Sequence, residues 1–361
     1  MRELGGALDA LGIYEQAVAT GNRAAVTALV ETMLTAGAHP VAVLTDVIAA
    51  AQRAVGARWQ RGEWTVAQEH AATAMAVAAT KAVTQHVGRI PATRGRIVVA
   101  CAEREWHALP AMIIDCALRA HGWETTLLGA STSPRRLNQH LQDLGPAAVA
   151  VSCSMLGALP ATRRFIEAST TAGVPVVVGG AAFGYDDLRA RALGATAWAP
   201  DAHGAVTAMD RLPAIVPPAP PLPVGPAGEQ AELEVDHRRL IAVLRGRWSL
   251  TSAGHSPGDE LSPATLADAE DALHQVLHAI SAALLTGDPR PVAETFLWIA
   301  DVLRTRKVDV VRVRELGELL ADTLAEYPLA RQLATEHFTV TLRVNPPPEG
   351  DYAEDVGTPL S

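Results

Sequence analysis

The run Arg96-Ile97-Val98-Val99-Ala100-Cys101-Ala102, with Glu105-Trp106-His107-Ala108-Leu109-Pro110 close behind it, decides the fold class of this chain. A short continuous apolar run that ends in polar residues reads as a parallel strand buried on both faces, and residues 111 to 121 beyond it have helical spacing. His107 therefore falls on a strand-to-helix loop at the carboxyl edge of a sheet, where doubly wound folds bind ligands. An imidazole presented there suits a metal ligand, because the Glu105 carboxylate can bond the far ring nitrogen and fix the tautomer. Taken alone, His107 reads equally well as an ordinary loop histidine.

The pattern repeats outward. Strands expected near 96–101, 124–128, 147–151, 174–178 and 195–198 alternate with helices near 109–121, 134–143, 158–172, 184–192 and 203–211. Strict alternation predicts a parallel sheet with right-handed crossovers, an open flavodoxin-like domain over residues 91–212. Two further strand ends carry small or hydroxyl residues: Ser152-Cys153-Ser154 and Gly179-Gly180. Before the sheet, residues 1–90 break at Gly21-Asn22, at Gly37 to Pro40 and at Arg61-Gly62, which predicts a four-helix bundle with helices near 8–20, 22–36, 40–60 and 65–87. After it, 213–228 is a Pro-rich linker of semi-rigid, extended character. Residues 229–345 read as a helical domain, with 339–344 alternating like a short strand, and the Pro-, Gly- and acid-rich tail 346–361 is expected to be disordered. The fold class is thus α/β plus all-α.

With 361 residues the chain is long enough for two or three cored domains. A net charge of −9 argues against a duplex-binding surface, which needs clustered Lys and Arg. Cys101, Cys116 and Cys153 all fall among apolar neighbours of the α/β domain, so a disulfide framework is not expected and a reducing cytoplasm is. No leader and no apolar run near membrane-spanning length stand out, so a soluble protein is expected.

Glu105-x-His107, Ser152-x-Ser154 and Gly179-Gly180 resemble the cobalamin-binding domain of methionine synthase and its relatives, whose signature is Asp-x-His-x-x-Gly, then Ser-x-Leu, then Gly-Gly. The resemblance implies that His107 is the lower axial ligand to cobalt, that Ser152 lies near the buried nucleotide tail, and that Gly179 and Gly180 allow close approach. Glu105 stands for the Asp, Pro110 for the Gly and Ser154 for the Leu. In the bundle, Trp59 is followed nine residues later by Glu69-His70. A lone Trp at helical spacing is plainly read as core, but this pattern resembles the helical cap of adenosylcobalamin-dependent photoreceptors. There the Trp covers the upper face of the cofactor and the Glu contacts the adenosyl group. The light-sensing repressors of this kind carry a His directly after the Trp; here Gln60 stands in its place, and His70 is the candidate substitute.

In the C-terminal region His274 and His278 share one helix face. With Phe296, Trp298, Tyr327, Arg304, Arg306, Arg312 and Arg314 they supply the aromatic and cationic groups that a tetrapyrrole with two propionates would need. A polar stripe is the plainer reading and haem a competing ligand. A globin-like helical domain after cap and sheet resembles the photocobilins in domain order, which implies biliverdin as a second cofactor. With no Cys beyond Cys153, a thioether link within this domain is excluded.

The resemblance as a whole implies a non-enzymatic light sensor in which photolysis of the Co–C bond of adenosylcobalamin drives a conformational or oligomeric change. Its output would pass through a homo-oligomer or a separate signalling partner, with neither nucleic acid nor membrane involved. The alternative is a corrinoid methyl carrier serving a methyltransferase. A mutase would need a substrate barrel that this chain lacks.

Overall fold

The computed structural model describes residues 2–250 and 262–344. Most of the expected loop around 249–262, and the tail 346–361 expected to be disordered, lie outside the described residues. The cap comprises α1 (Arg2–Ala19), α2 (Arg23–Thr35), α3 (Pro40–Ala42), a π-helical stretch Val43–Ile48 that continues into α4 (Ala49–Gln60), and α5 (Val66–Val87). Local chemistry sets these starts. The Asn22 side chain accepts from the Ala25 amide at 3.0 Å, Pro40 occupies a first turn where no amide is needed, and Thr65 with Gln68 forms a reciprocal cap on α5. The continuous helix Pro40–Gln60 is long and apolar enough to match a bilayer. Its apolar side chains are nevertheless spent inside the cap: Val41, Val43, Leu44, Val47 and Ile48 are fully or almost fully buried.

The sheet consists of β1 (Arg96–Ala102), β2 (Glu124–Thr132), β3 (Ala148–Ser152), β4 (Val176–Gly179) and β5 (Ala197–Ala199), all parallel in the order β2-β1-β3-β4-β5. This is the flavodoxin-like order, with its topological switch between β1 and β3. Alternate residues of β1 serve two cores. Ile97, Val99 and Cys101 join the cap, α6 (Ala108–Ala120) and α10 (Ala202–Asp210). Val98, Ala100 and Ala102 join α7 (Pro134–Leu144), α8 (Leu159–Thr171) and α9 (Leu188–Ala192).

The C-terminal domain has five described helices: α11 (Val224–Arg247), α12 (Pro263–Thr286), α13 (Arg290–Thr305), α14 (Val311–Thr323) and α15 (Pro328–Val344). They close around Leu240, Leu273, Ile280, Ile299, Leu316 and Leu320. Two expectations are corrected. Residues 339–344 finish α15 rather than forming a strand, since a short alternating run with no neighbouring strand satisfies its backbone only as helix. The linker stops at Pro223, because Pro226 sits in the first turn of α11, where a missing amide costs nothing. The linker is also fastened: Arg163 donates to the Pro220 carbonyl at 2.6 Å, and the Ala219 amide donates to Thr170 Oγ1 at 3.0 Å.

Candidate functional site

Beyond β1 the backbone turns through Arg104, at a φ of 71°, and buries Glu105 completely. One glutamate oxygen accepts the His107 amide at 2.8 Å and meets His107 Nδ1 at 2.7 Å. The other accepts the amides of Ser154 and Met155, at 2.5 and 2.9 Å. A single carboxylate thus ties the loop after β1 to the loop after β3, across the switch point. Burial pushes its pKa up, but the bonds from the His107 ring and amide and from the Ser154 amide outweigh this and hold it below the ordinary carboxylate value.

The bond to Glu105 raises the pKa of His107, burial opposes it, and the charges of Glu105 and Glu69 add to the rise. With Nδ1 turned to the carboxylate, Nε2 is the nitrogen left for a ligand, on a side chain that is 58% exposed. Glu69 acts on it from the cap. Its carboxylate accepts from Thr73 Oγ1 at 2.9 Å, Thr73 accepts from Gln52 at 2.6 Å, and the exposed His70 lies 3.5 Å away.

Between the cap and the sheet opens a cavity of about 480 Å³. Its floor is the apolar end of the sheet with Ser152, Gly179 and Gly180, and its walls are Leu109 and Pro110 of α6 with Ala202 and His203 of α10. Pro110, which stands where the motif has Gly, fits the first turn of α6 and lays its ring on the wall. A Cβ on Gly180, at a φ of 104°, would lie 2.4 Å from the Cys153 carbonyl oxygen, and one on Gly179 would lie 2.5 Å from that of Ala199. Glycine is therefore demanded by main-chain approach at the cavity floor. Thr45, Asp46 and Gln52 of the cap form the rim, and Thr45 Oγ1 lies 3.3 Å from His203 Nε2. These rim residues carry no motif; only the folded helix brings them there.

Trp59 is at an interface rather than in the cap core. It stacks on Trp298 with centroids 6.2 Å apart, and the Arg306 guanidinium lies 5.2 Å from its ring. Arg306 donates to the carbonyls of Gln60 and Trp59, at 2.8 and 3.2 Å, and pairs with Asp268 at 2.8 Å. It therefore holds the last turn of α4.

The other C-terminal candidates do not share one pocket among the described residues. His274 and His278 meet His237, which sequence spacing could not flag because it comes from α11. His237 Nε2 lies 2.9 Å from His274 Nδ1, and the His237 and His278 rings stack at 4.9 Å. The adjoining cavity is only about 20 Å³. Burial, then the neighbouring histidines, lower the pKa of His278 to about 3 and that of His237 to about 4. Arg304 pairs with Asp301 on the surface, Arg312 pairs with Glu315, and Arg314 is exposed. Phe296 packs on Phe338 in the core, and Tyr327 bonds Asp236 and Arg239.

Residues 13–84 and 95–208 each match a family model described as a B12 binding domain. No curated protein matches the chain. Among solved structures the chain is similar to the monomethylamine corrinoid protein of Methanosarcina barkeri, at 18% identity over 56% of this chain and 98% of that one, with a TM-score of 0.50. It is also similar to a cobalamin-binding protein from Desulfitobacterium hafniense DCB-2, at 21% identity over 56% of this chain and 97% of that one, TM-score 0.31. A third is the methanol:cobalamin methyltransferase complex of Methanosarcina barkeri, at 20% identity over 56% and 78%, TM-score 0.30.

Proposed function

For a chain whose cap and sheet form a pair of B12-binding domains, we propose that it holds adenosylcobalamin as a light sensor. The residues present fit such a group: an imidazole with a free Nε2, a buried carboxylate behind it, and an apolar cavity of about 480 Å³ below for a displaced nucleotide tail. His107 would hold the metal through Nε2, with Glu105 keeping the His107 proton on Nδ1 and both loops in register. Trp59 and Glu69 bound the upper side, where an adenosine offers a ring to stack and hydroxyl and amino groups to donate. The cofactor, when bound, supplies a cobalt–carbon bond that light can break.

The observation that favours a sensor over a methyl carrier is the hold of Arg306 and Trp298 on the last turn of α4, which carries Trp59. A carrier must present the upper face of its cofactor to other proteins, whereas here that side is backed by the chain's own third domain. A second chromophore, biliverdin, is the extension suggested by domain order. Since His274, Arg304 and Arg312 do not converge, this part rests on that order alone. We place the protein in the cytoplasm.

Loading the full chain with adenosylcobalamin and recording spectra and hydrodynamic size before and after illumination tests the proposal. A light-dependent change in both is expected. A light-stable spectrum, together with methyl transfer to a partner enzyme, would instead identify a carrier. In the dark, His107→Ala should shift the bound spectrum towards the base-off form, and Trp59→Ala should erase any preference for adenosyl- over methylcobalamin. Expression with biliverdin should add a red absorption band.

A further inference from the structure

The two loops that Glu105 ties are each touched a second time, from the C-terminal domain. Arg104, the residue before Glu105, points its guanidinium at Glu234 of α11, with Nη1 3.1 Å from Oε1. The other oxygen of Glu234 accepts from Gln230 at 3.5 Å, and Gln230 also donates to Ser281 of α12 at 3.2 Å, so the carboxylate is braced within its own domain. The loop after β3 runs into the 3₁₀ turn Leu156–Ala158, whose Ala158 amide donates back to the Met155 carbonyl at 3.0 Å. Against that turn lies the ring of His278 of α12: a Cβ on Gly157 would be 2.7 Å from Cε1 and 2.8 Å from each ring nitrogen.

The first loop is one that needs outside support. Arg104, at a φ of 71°, and Ser131, at 46°, both occupy the left-handed region, which residues with side chains keep only where the surroundings over-determine it. They brace one another: the Arg104 amide donates to Ser131 Oγ at 3.3 Å, and the Ser131 amide donates to the Glu105 carbonyl at 2.8 Å. The second contact is one of shape. His278 Nδ1 is buried with no hydrogen-bond partner among the described residues, and the ring stacks on His237 at 4.9 Å, so packing places it.

We propose that Glu234 and His278 are positioning residues for the cobalt ligand: acting through Arg104 and Gly157, they hold the two loops from which Glu105 orients His107. The proposal rests on the cobalamin reading of His107. These contacts of the C-terminal domain fall on the two segments joined by the buried carboxylate behind the ligand, so releasing either one loosens the same imidazole. The two contacts are unequal. A half-exposed ion pair shifts an equilibrium by about fivefold at most, whereas overpacking a close main-chain contact shifts it by about tenfold.

Amide exchange of the full chain without cofactor reads the loops directly. The amides of His107, Ser154 and Met155 all donate to Glu105. In Glu234→Gln they should exchange about fivefold faster and in Gly157→Ala about tenfold faster, with β4 and α5 unchanged. Exchanging the charges, in Arg104→Glu/Glu234→Arg, should restore the wild-type rate. The ligand is read after loading with cob(II)alamin, by electron paramagnetic resonance, where an axial imidazole splits the signal in a way that isotopically labelled histidine alters. That splitting should be present in the wild type and fade in the combined variant Glu234→Gln/Gly157→Ala, with far-UV circular dichroism unchanged. Exchange rates that no variant alters overturn the proposal, as does faster exchange with undiminished splitting in the combined variant. A wild type that lacks the splitting, or keeps it in His107→Ala, refutes the ligation itself and the proposal with it.

Discussion

The C-terminal domain touches the rest of the chain on two faces built from different materials. Against the sheet it uses buried charge: Arg189 and Asp288, both 1% exposed, pair at 2.7 Å. Arg189 also donates to the Ala182 carbonyl and to Glu294, and Arg290 bridges Asp288 to Asp186. Beside this, the His278 ring lies so close to Gly157 that a Cβ there would sit 2.7 Å from it. Against the cap it uses main-chain carbonyls and stacked rings, through Arg306 and Trp298. Parting the first face strands a charge in an apolar setting. Parting the second frees carbonyls and a guanidinium that water can satisfy and bares two indole faces. The face against the sheet is therefore the harder of the two to part.

The largest expected effect follows from breaking the first face. Arg189→Met leaves Asp288 with Arg290 as its remaining cation and should cost about 3–5 kcal/mol in denaturant unfolding, the scale for removing one partner of a buried pair. A loss below about 1 kcal/mol would show that the two faces do not differ in this way. Next is the histidine cluster. His278 and His237 are held neutral below the ordinary imidazole pKa of 6.5, so the unfolded chain binds more protons than the folded one across the interval below it. Their stabilising contribution is full above about pH 6.5 and is lost as the pH falls towards 4. Urea midpoints measured across that window should decline, and less so in His278→Gln. At the cap face, Arg306→Ala should cost about 1.5–3 kcal/mol, the range for hydrogen bonds from a charged group. Its diagnostic is location: amide exchange should quicken at the end of α4 and not in β4 or α9. Trp298→Ala should do the same more weakly, by about 0.5–1.5 kcal/mol beyond its buried area.

What could be read beforehand was whatever is periodic or local. The uninterrupted apolar run 96–102 and the strict alternation after it are enough to order elements, and parallel strands with short connections leave few topologies to choose from. The pairing of Glu105 with His107 was legible for the same reason, since a single residue separates them. The reach of Glu105 to the Ser154 and Met155 amides was not, because it depends on the meeting of β1 and β3 loops far apart in sequence. His237 escaped notice since His274 and His278 share a helix whereas it does not. The arginines misled for the opposite reason: composition brought Arg304, Arg306, Arg312 and Arg314 together, but the turn between α13 and α14 sends Arg306 to the cap, leaves Arg304 at the surface and gives Arg312 to Glu315. The rim residues Thr45 and Asp46 depend on a helix whose irregularity no residue type announces.

That irregularity has a geometric consequence of its own. The π-helical stretch Val43–Ile48 carries the rim residues Thr45 and Asp46 and precedes Trp59 on one continuous helix. A π-turn carries one residue more than the α-turn it replaces, and each residue of an α-helix advances the side chains by about 100° around the axis. The stretch therefore acts as a phase shifter. It fixes the angle between the residues ahead of it, such as Val41, and the side that presents Trp59, and removing a single residue within it would turn those two out of alignment by about a quarter of a revolution.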